Sequence, residues 1–420
     1  LRKKPKIAII GAGASGCFAA LQIYEELQGL CDIQIFEKSK EPLSKLKISG
    51  GGRCNVTHNL FDPELLSMRY PRGNKELRWA FESFGPNDTI NWFKKRGVTL
   101  KAEPDGRMFP TTDSSETIIQ CFLEELKSKK IPIHFEQGLV GIYSNHTTNQ
   151  DPNRNNEFRV LWEGGIEENF DIVVIATGSN RKVWSILEKL GHKIITPVPS
   201  LFTLTLENTD IIDLTGLVIP NSEIKILPKG KPQKGPMLIT HWGLSGPCAL
   251  RLSAWEARTL FEADYKVELS VNWIGGEKSQ NIEEIYLRKK EKTPGEKLIP
   301  DPEWKLPSRF WEWILKETKL LPNKRYSDIS KSEIRALSLA LTQTKLRMVA
   351  KGVFKEEFVT AGGVSRKDIH FQTMESKQTP GLFFTGEVID VDGVTGGFNF
   401  QNAWTTATLA ARGIHKTIVT

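Results

Sequence analysis

The sequence predicts an α/β protein whose main domain is discontinuous, interrupted by a β-rich domain carrying a small helical part. Three observations predict it. Short apolar runs that end at glycine, Lys6–Ile10 and Asp171–Thr177, read as buried parallel strands. After Pro197 apolar and polar residues alternate over Ser222–Leu227 and Lys266–Trp273, the mark of half-buried antiparallel strands. From Phe358 the buried runs and glycine turns return. At 420 residues the chain is also too long for one ordinary core. The expected boundaries are 1–196 with 356–420 for the main domain, 197–274 with 342–355 for the β-rich insertion, and 275–341 for the helical part.

The elements follow in chain order. Lys6–Ile10, a helix over Ser15–Leu27 and a strand over Ile33–Glu37 make a compact βαβ unit. Lys45–His58 is rich in glycine and poor in apolar residues, so it reads as a loop. Leu77–Lys95 and Ser114–Lys129 have helical spacing. Ile131–Phe135 and Gly138–Tyr143 read as strands, with a polar exposed loop over Asn145–Asn156 after them. Glu283–Lys292, Ser308–Leu320 and Ser330–Leu341 read as the helices of the insertion, and Gln401–Ile414 as a closing helix of small residues.

Composition excludes several function classes. A net charge of +7 over this length is a mild excess and does not call for nucleic acid. The five cysteines are odd in number and form no C-x-x-C pair, which argues against a disulfide scaffold, a zinc ribbon, an iron–sulfur cluster and a thioredoxin-type pair. No metal site is expected. A reducing, cytoplasmic setting fits best. No apolar stretch is long enough for a membrane span. The basic residues before Ile7 and the Ala14-Ser15-Gly16-Cys17 box mimic a signal peptide. The same residues fit a stricter pattern.

Gly11-Ala12-Gly13-Ala14-Ser15-Gly16 is a G-x-G-x-x-G between a strand and a helix. Gly11 serves the tight turn, Gly13 lets the backbone approach a diphosphate, and Gly16 lets the helix pack on the strand. The helix N-terminus offers unpaired N–H groups to the phosphates. Glu37, about twenty residues further on and followed by Lys38, is placed to accept the ribose hydroxyls. The pattern calls for a dinucleotide, FAD or NAD. Three features favour FAD. Ala176-Thr177-Gly178 closes a strand in the manner of two-dinucleotide-fold flavoproteins. Pro380–Glu387 resembles the late strand of that fold, which ends in G-D and meets the ribityl–phosphate chain. Here Gly386 is followed by Glu387, so Glu387 or Asp390 is the candidate carboxylate. Gly396-Gly397-Phe398-Asn399 opens the closing helix, whose N-terminus suits the electron-rich edge of reduced flavin.

With those residues in view, the chain resembles the BaiN/YhiN-type FAD-dependent oxidoreductases, also called the aminoacetone-oxidase family. The resemblance runs over nearly the whole chain. It is carried by Lys45–Thr57 (KLKISGGGRCNVT), Gly106–Pro110, Thr240–Pro247, Thr360–Val364 and Gly386–Asn399. It implies an FAD-binding Rossmann-like domain of glutathione-reductase type, with an inserted β-barrel-like domain and a small helical subdomain. It implies hydride transfer between flavin N5 and a small organic substrate, as a reductase or an oxidase. There is no second dinucleotide fingerprint, so NAD(P)H, if it is the donor, docks transiently at the ring.

Ser49-Gly50-Gly51-Gly52-Arg53-Cys54-Asn55 is the second segment expected on FAD. Its glycines bring backbone N–H groups close, Arg53 meets a phosphate and Asn55 the ring. Cys54 has no base partner and reads as a packed residue. In such folds a residue at Val140 meets the adenine through its backbone. His241, in the dense Thr240–Pro247 block, is the candidate proton donor. Three rival readings stand beside this one: an NAD-dependent dehydrogenase, a catalytically idle FAD protein, and an RNA-binding or RNA-modifying flavoprotein. The basic clusters Lys229–Lys234 and Arg288–Lys292 motivate the last, although they lack interleaved aromatics.

Overall fold

The computed structural model describes residues 4–144, 158–352 and 359–419. The expected loop over Asn145–Asn156 lies outside them. The chain divides into two compact units, Leu1–Pro197 with Val359–Thr420 and Val198–Phe358.

The first unit is built on a seven-stranded sheet. Its five central strands are parallel, in the order Leu382–Phe384, Ile172–Ile175, β1 (Lys6–Ile10), β2 (Asp32–Phe36) and Ile133–His134. The short strands Ile369–His370 and Glu375–Ser376 extend one edge antiparallel. The central strands are apolar at consecutive positions because both faces are covered: Ile7, Ala8, Ile9, Val173, Val174 and Phe383 are fully buried. Helix α1 (Ala14–Leu27) packs against the closing helix Phe398–Val419, where Phe18 meets Trp404 at 5.1 Å between ring centroids. The closing helix buries alanines and threonines along its length, whereas Gly413 lets it pass the Thr373 backbone, whose oxygen would lie 2.5 Å from a Cβ there.

Two sequence expectations change here. Leu77–Lys95 is two helices, Asn74–Ser83 and Pro86–Lys94, because Pro86 has no N–H to continue the first and starts the second at its first position. The segment Lys45–His58, which its composition predicts as a loop, begins as helix α2 (Ser44–Gly52). Its regular part ends at Ser49, and Gly50, Gly51 and Gly52 then turn left-handed with φ of 58°, 70° and 82°.

The second unit is a closed six-stranded barrel with Leu204–Leu206, Gly243–Ser245, Gln233–Thr240, Val218–Ile226, Val267–Asn272 and Thr344–Lys351 in succession. Along Val218–Ile226 buried residues alternate with accessible ones, as a sheet with one wet face requires. The helices Ser279–Lys292, Ser308–Glu317 and Lys331–Thr342 share one continuous core with the barrel, where Trp273 packs edge-on against Phe310 at 4.9 Å.

Candidate functional site

The turn after β1 is set by contacts that exclude side chains. Gly11, at φ 108°, donates its N–H to Phe36 O at 2.7 Å. A Cβ on Gly11 would lie 2.5 Å from Ala176 O, and one on Gly16 would lie 1.9 Å from Gly11 O. The helix therefore rests directly on the turn and on the end of the neighbouring strand. Gly13, the N-cap of α1, differs: nothing lies within 4 Å of where its Cβ would stand. No side chain caps this helix, and its first turn carries no acidic residue. An uncapped N-terminus with open space above it suits an anion.

Glu37 sits beside that turn. One carboxylate oxygen accepts the Ala12 N–H at 2.8 Å, and the other accepts the Ser39 N–H at 2.9 Å and the Ser39 hydroxyl at 2.6 Å. The Ala12 carbonyl accepts the Leu43 N–H at 2.9 Å, so both backbone groups of Ala12 are engaged within the chain. Lys38 is exposed. Val140 lies where the register shifts between Leu139, opposite Trp162, and Gly141, opposite Leu161, so it is the extra residue of a bulge. The Gln137 N–H donates to Glu37 O at 2.9 Å, tying the chain just before this strand to the end of β2.

The glycine segment and the closing helix meet. Gly51 and Gly52 have empty space where a Cβ would be, whereas a Cβ on Gly50 would touch Asn55 N and the Phe109 ring at 3.0 Å. Asn55 is buried, and its Oδ1 has no hydrogen-bond partner. That oxygen lies 2.8 Å from where a Gly397 Cβ would stand, and Thr57 O only 2.5 Å. Gly397 is thus the residue that lets the helix start against residues 55–57. Phe398 stacks on His58 at 4.8 Å, and its carbonyl accepts the Tyr70 hydroxyl at 2.6 Å. The Asn399 side chain clamps both backbone groups of Gly393, at 2.8 and 3.0 Å.

Several expected residues have partners inside the chain. Arg53 lies over the Phe109 ring at 4.0 Å and pairs with Glu103 at 2.6 Å and Asp113 at 3.6 Å. The charge expected to meet a phosphate is already met by these carboxylates. Cys54 is buried, and burial pushes its thiol up to about 12, so it stays protonated and packs, as expected for a residue without a base. Glu387 accepts the Thr360 N–H at 3.0 Å and pairs with Lys45 at 2.9 Å. Asp390 pairs with Arg366 at 3.4 Å. Ser15 donates to Thr385 Oγ1 at 2.7 Å, which holds α1 against the turn at Gly386, where a Cβ would lie 2.9 Å from Ser15. Thr177 Oγ1 is buried without a partner beside left-handed Gly178. His241 is exposed on the barrel unit, between the strands Gln233–Thr240 and Gly243–Ser245, with its ring 5.5 Å from that of Trp242.

Two residues that sequence reading did not assign belong with this group. Lys45 also reaches the Ser179 hydroxyl at 3.4 Å, so it joins α2 to both the Gly178 turn and Glu387. Asn402 is buried with an unpartnered Oδ1. Its spacing of three from Asn399, on the same helix face, was the only signal for it. Among the described residues no group of acidic, histidine and cysteine side chains is arranged to hold a metal, and no helix is long and apolar enough to cross a membrane.

Comparison with known proteins bears on this arrangement. The family described as HI0933-like protein Rossmann domain matches residues 5–413. The chain is 25% identical to a 3-dehydro-bile acid delta(4,6)-reductase of Clostridium scindens, over 97% of this chain and 98% of that protein. It is 28% identical to a ribosomal RNA dihydrouridine synthase of Haemophilus influenzae, again over 97% of this chain and 98% of that protein. Among solved structures, the 3-ketosteroid delta1-dehydrogenase of Sterolibacterium denitrificans shares the fold, with a TM-score of 0.53 and 10% identity over 99% of this chain and 100% of that one.

Proposed function

The chain belongs to the HI0933-like Rossmann family of BaiN/YhiN-type FAD-dependent oxidoreductases, and from that premise we propose that it reduces a carbon–carbon double bond conjugated to a carbonyl in a small organic substrate, with NAD(P)H as a transiently docked donor. The observation that carries the cofactor's place is the open cradle at Gly13, above a helix N-terminus with neither a capping side chain nor an acidic first turn. Buried, unpartnered oxygens on Asn55 and Thr177 support the same reading, since a buried acceptor without a donor is costly unless a ligand supplies one.

In this reading Gly13 and the first turn of α1 would hold the diphosphate, Glu37 the ribose and the Val140 backbone the adenine. Gly51, Gly52, Asn55 and the N-terminus of the closing helix at Gly397–Asn399 would hold the ring system. Bound FAD supplies the hydride. The start of the closing helix would offer N–H groups where negative charge develops. Reduction of a conjugated double bond also needs a proton at the carbon next to the carbonyl, and the candidate the sequence offers for that donor is His241. The C. scindens relative, named as a 3-dehydro-bile acid delta(4,6)-reductase, supports the substrate class.

The test is anaerobic mixing of the purified yellow protein with NADH or NADPH, then with conjugated enones. Loss of the flavin's visible absorption with one donor, and its return on adding the enone, is the expected result. A chromophore that no donor bleaches, or that returns only with oxygen, overturns it.

A second reading takes the conjugated bond from uracil in RNA. It is favoured by the H. influenzae relative, whose named product, dihydrouridine, is uridine with that bond saturated. The basic clusters lend it limited support, since Lys234 pairs with Glu223 and Lys289 with Asp301, each at 3.5 Å. Mass spectrometry of uridine-containing RNA after incubation with the reduced protein separates the two: formation of dihydrouridine selects RNA.

A further inference from the structure

The first unit carries a concavity of about 350 Å³ at the antiparallel edge of its sheet. Glu76, Arg366, Lys367, His370, Phe371 and Lys377 are among its lining residues. We propose that this pocket binds the phosphate of a nucleotide, with the base against Phe371 and His370.

The lining carries an excess of positive charge on its two lysines, because other nearby acids are drawn elsewhere. Asp368 accepts the Lys193 N–H at 2.7 Å, and Glu375 accepts the Gly381 N–H at 2.8 Å. Glu76 is the one acid in the lining, and it meets Arg366 Nε at 3.2 Å. Arg366 is held from the other side too, its Nη1 donating to Asp390 O at 2.9 Å. The Asp390 carboxylate also lies 3.4 Å from Nη1, so Arg366 is neutralised within the chain and the positive charge left in the lining is that of Lys367 and Lys377. Lys377 Nζ donates to Lys367 O at 2.9 Å, which brings the two lysines together without a carboxylate on either among the described residues. Both lysines are exposed, and Phe371 is half-buried on the same short hairpin. Cations and aromatic rings lining one pocket suit a phosphate carrying a base better than inorganic phosphate alone.

The pocket holds no residue assigned to the flavin cradle, so the proposal stands apart from the flavin reading. A nucleotide phosphate has two sources, a free mononucleotide or an RNA strand, and the experiment distinguishes them. The FAD-bound full chain is titrated by calorimetry with uridine monophosphate, a short oligouridylate and inorganic phosphate. The same titrations follow for the Lys367→Gln/Lys377→Gln double variant and for Phe371→Ala. Saturable uridine monophosphate binding that weakens about tenfold in the double variant and falls with added salt, while bound flavin and melting temperature are unchanged, supports a free-nucleotide site. The same pattern with the oligouridylate, and negligible binding of the mononucleotide, supports the strand. No binding, binding indifferent to the double variant, or equal affinity for inorganic phosphate with no effect of Phe371→Ala overturns the proposal.

Discussion

Arg72 forks its guanidinium onto the carboxylate of Asp392, which is wholly buried. Beside it the Tyr70 ring packs against Gly393, where a Cβ would lie 3.1 Å away. The pair joins the segment before the helix Asn74–Ser83 to the loop that delivers the closing helix. Removing one partner leaves a buried charge without its counter-charge, which costs about 3–5 kcal/mol. Arg72→Ala is expected to lower the urea midpoint accordingly and to release flavin on dialysis. An unchanged midpoint would show that the pair contributes nothing.

The three fingerprint glycines respond differently to substitution. A methyl group on Gly16 meets Gly11 O at 1.9 Å, so Gly16→Ala is expected to destabilise by at least the roughly 1–3 kcal/mol of overpacking. Gly13→Asp meets open space, so its melting curve without flavin is expected to match the parent. It brings a negative charge to the diphosphate position, and the purified variant is expected to be colourless. A yellow Gly13→Asp protein refutes the placement of the cofactor.

Burial pushes Cys17, Cys54 and Cys248 up from 9.0 to about 12. Cys31 and Cys121 rise to about 11. A thiol whose folded pKa exceeds its unfolded value favours the folded state fully below pH 9 and loses that contribution as pH rises through the folded pKa. Stability is expected to fall steadily from pH 9 upward, and the midpoint of urea unfolding against pH measures it. The native protein is also expected to resist iodoacetamide at neutral pH, with all five thiols reacting once it is unfolded.

Ser330 and Glu333 form a capping box at the helix Lys331–Thr342. The hydrogen bond from Lys324, first, and then the Ser330 N–H hold the Glu333 carboxyl down at about 2. Its contribution is present above the usual carboxylate range and is lost as pH falls toward 2. Ser330→Ala is expected to cost about 1 kcal/mol in denaturant unfolding. Glu333→Gln is expected to flatten the acid limb of the stability curve, and an unaltered limb would remove Glu333 as its source.

The local features were readable from the sequence. β1, the turn at Gly11–Gly16, α1 and β2 are written in consecutive residues, because a strand, a glycine turn and a helix each depend on neighbours a few positions away. The alternation after Pro197 likewise led to antiparallel strands, and the structure closes them into a barrel. The break at Gly85–Pro86 was legible in the proline but was outweighed by continuous helical spacing on both sides. The helical start of α2 was hidden because only Leu46 in it is buried, which leaves almost no apolar period.

Which charges remain available was decided by the tertiary structure alone. Arg53 is held by Glu103 and Asp113, Glu387 by Lys45 and Asp390 by Arg366, and Arg72 meets Asp392 across 320 positions of chain. A motif specifies residue types and spacing. The partner that neutralises a charge is brought in by packing between distant segments, and no pattern along the chain encodes that distance.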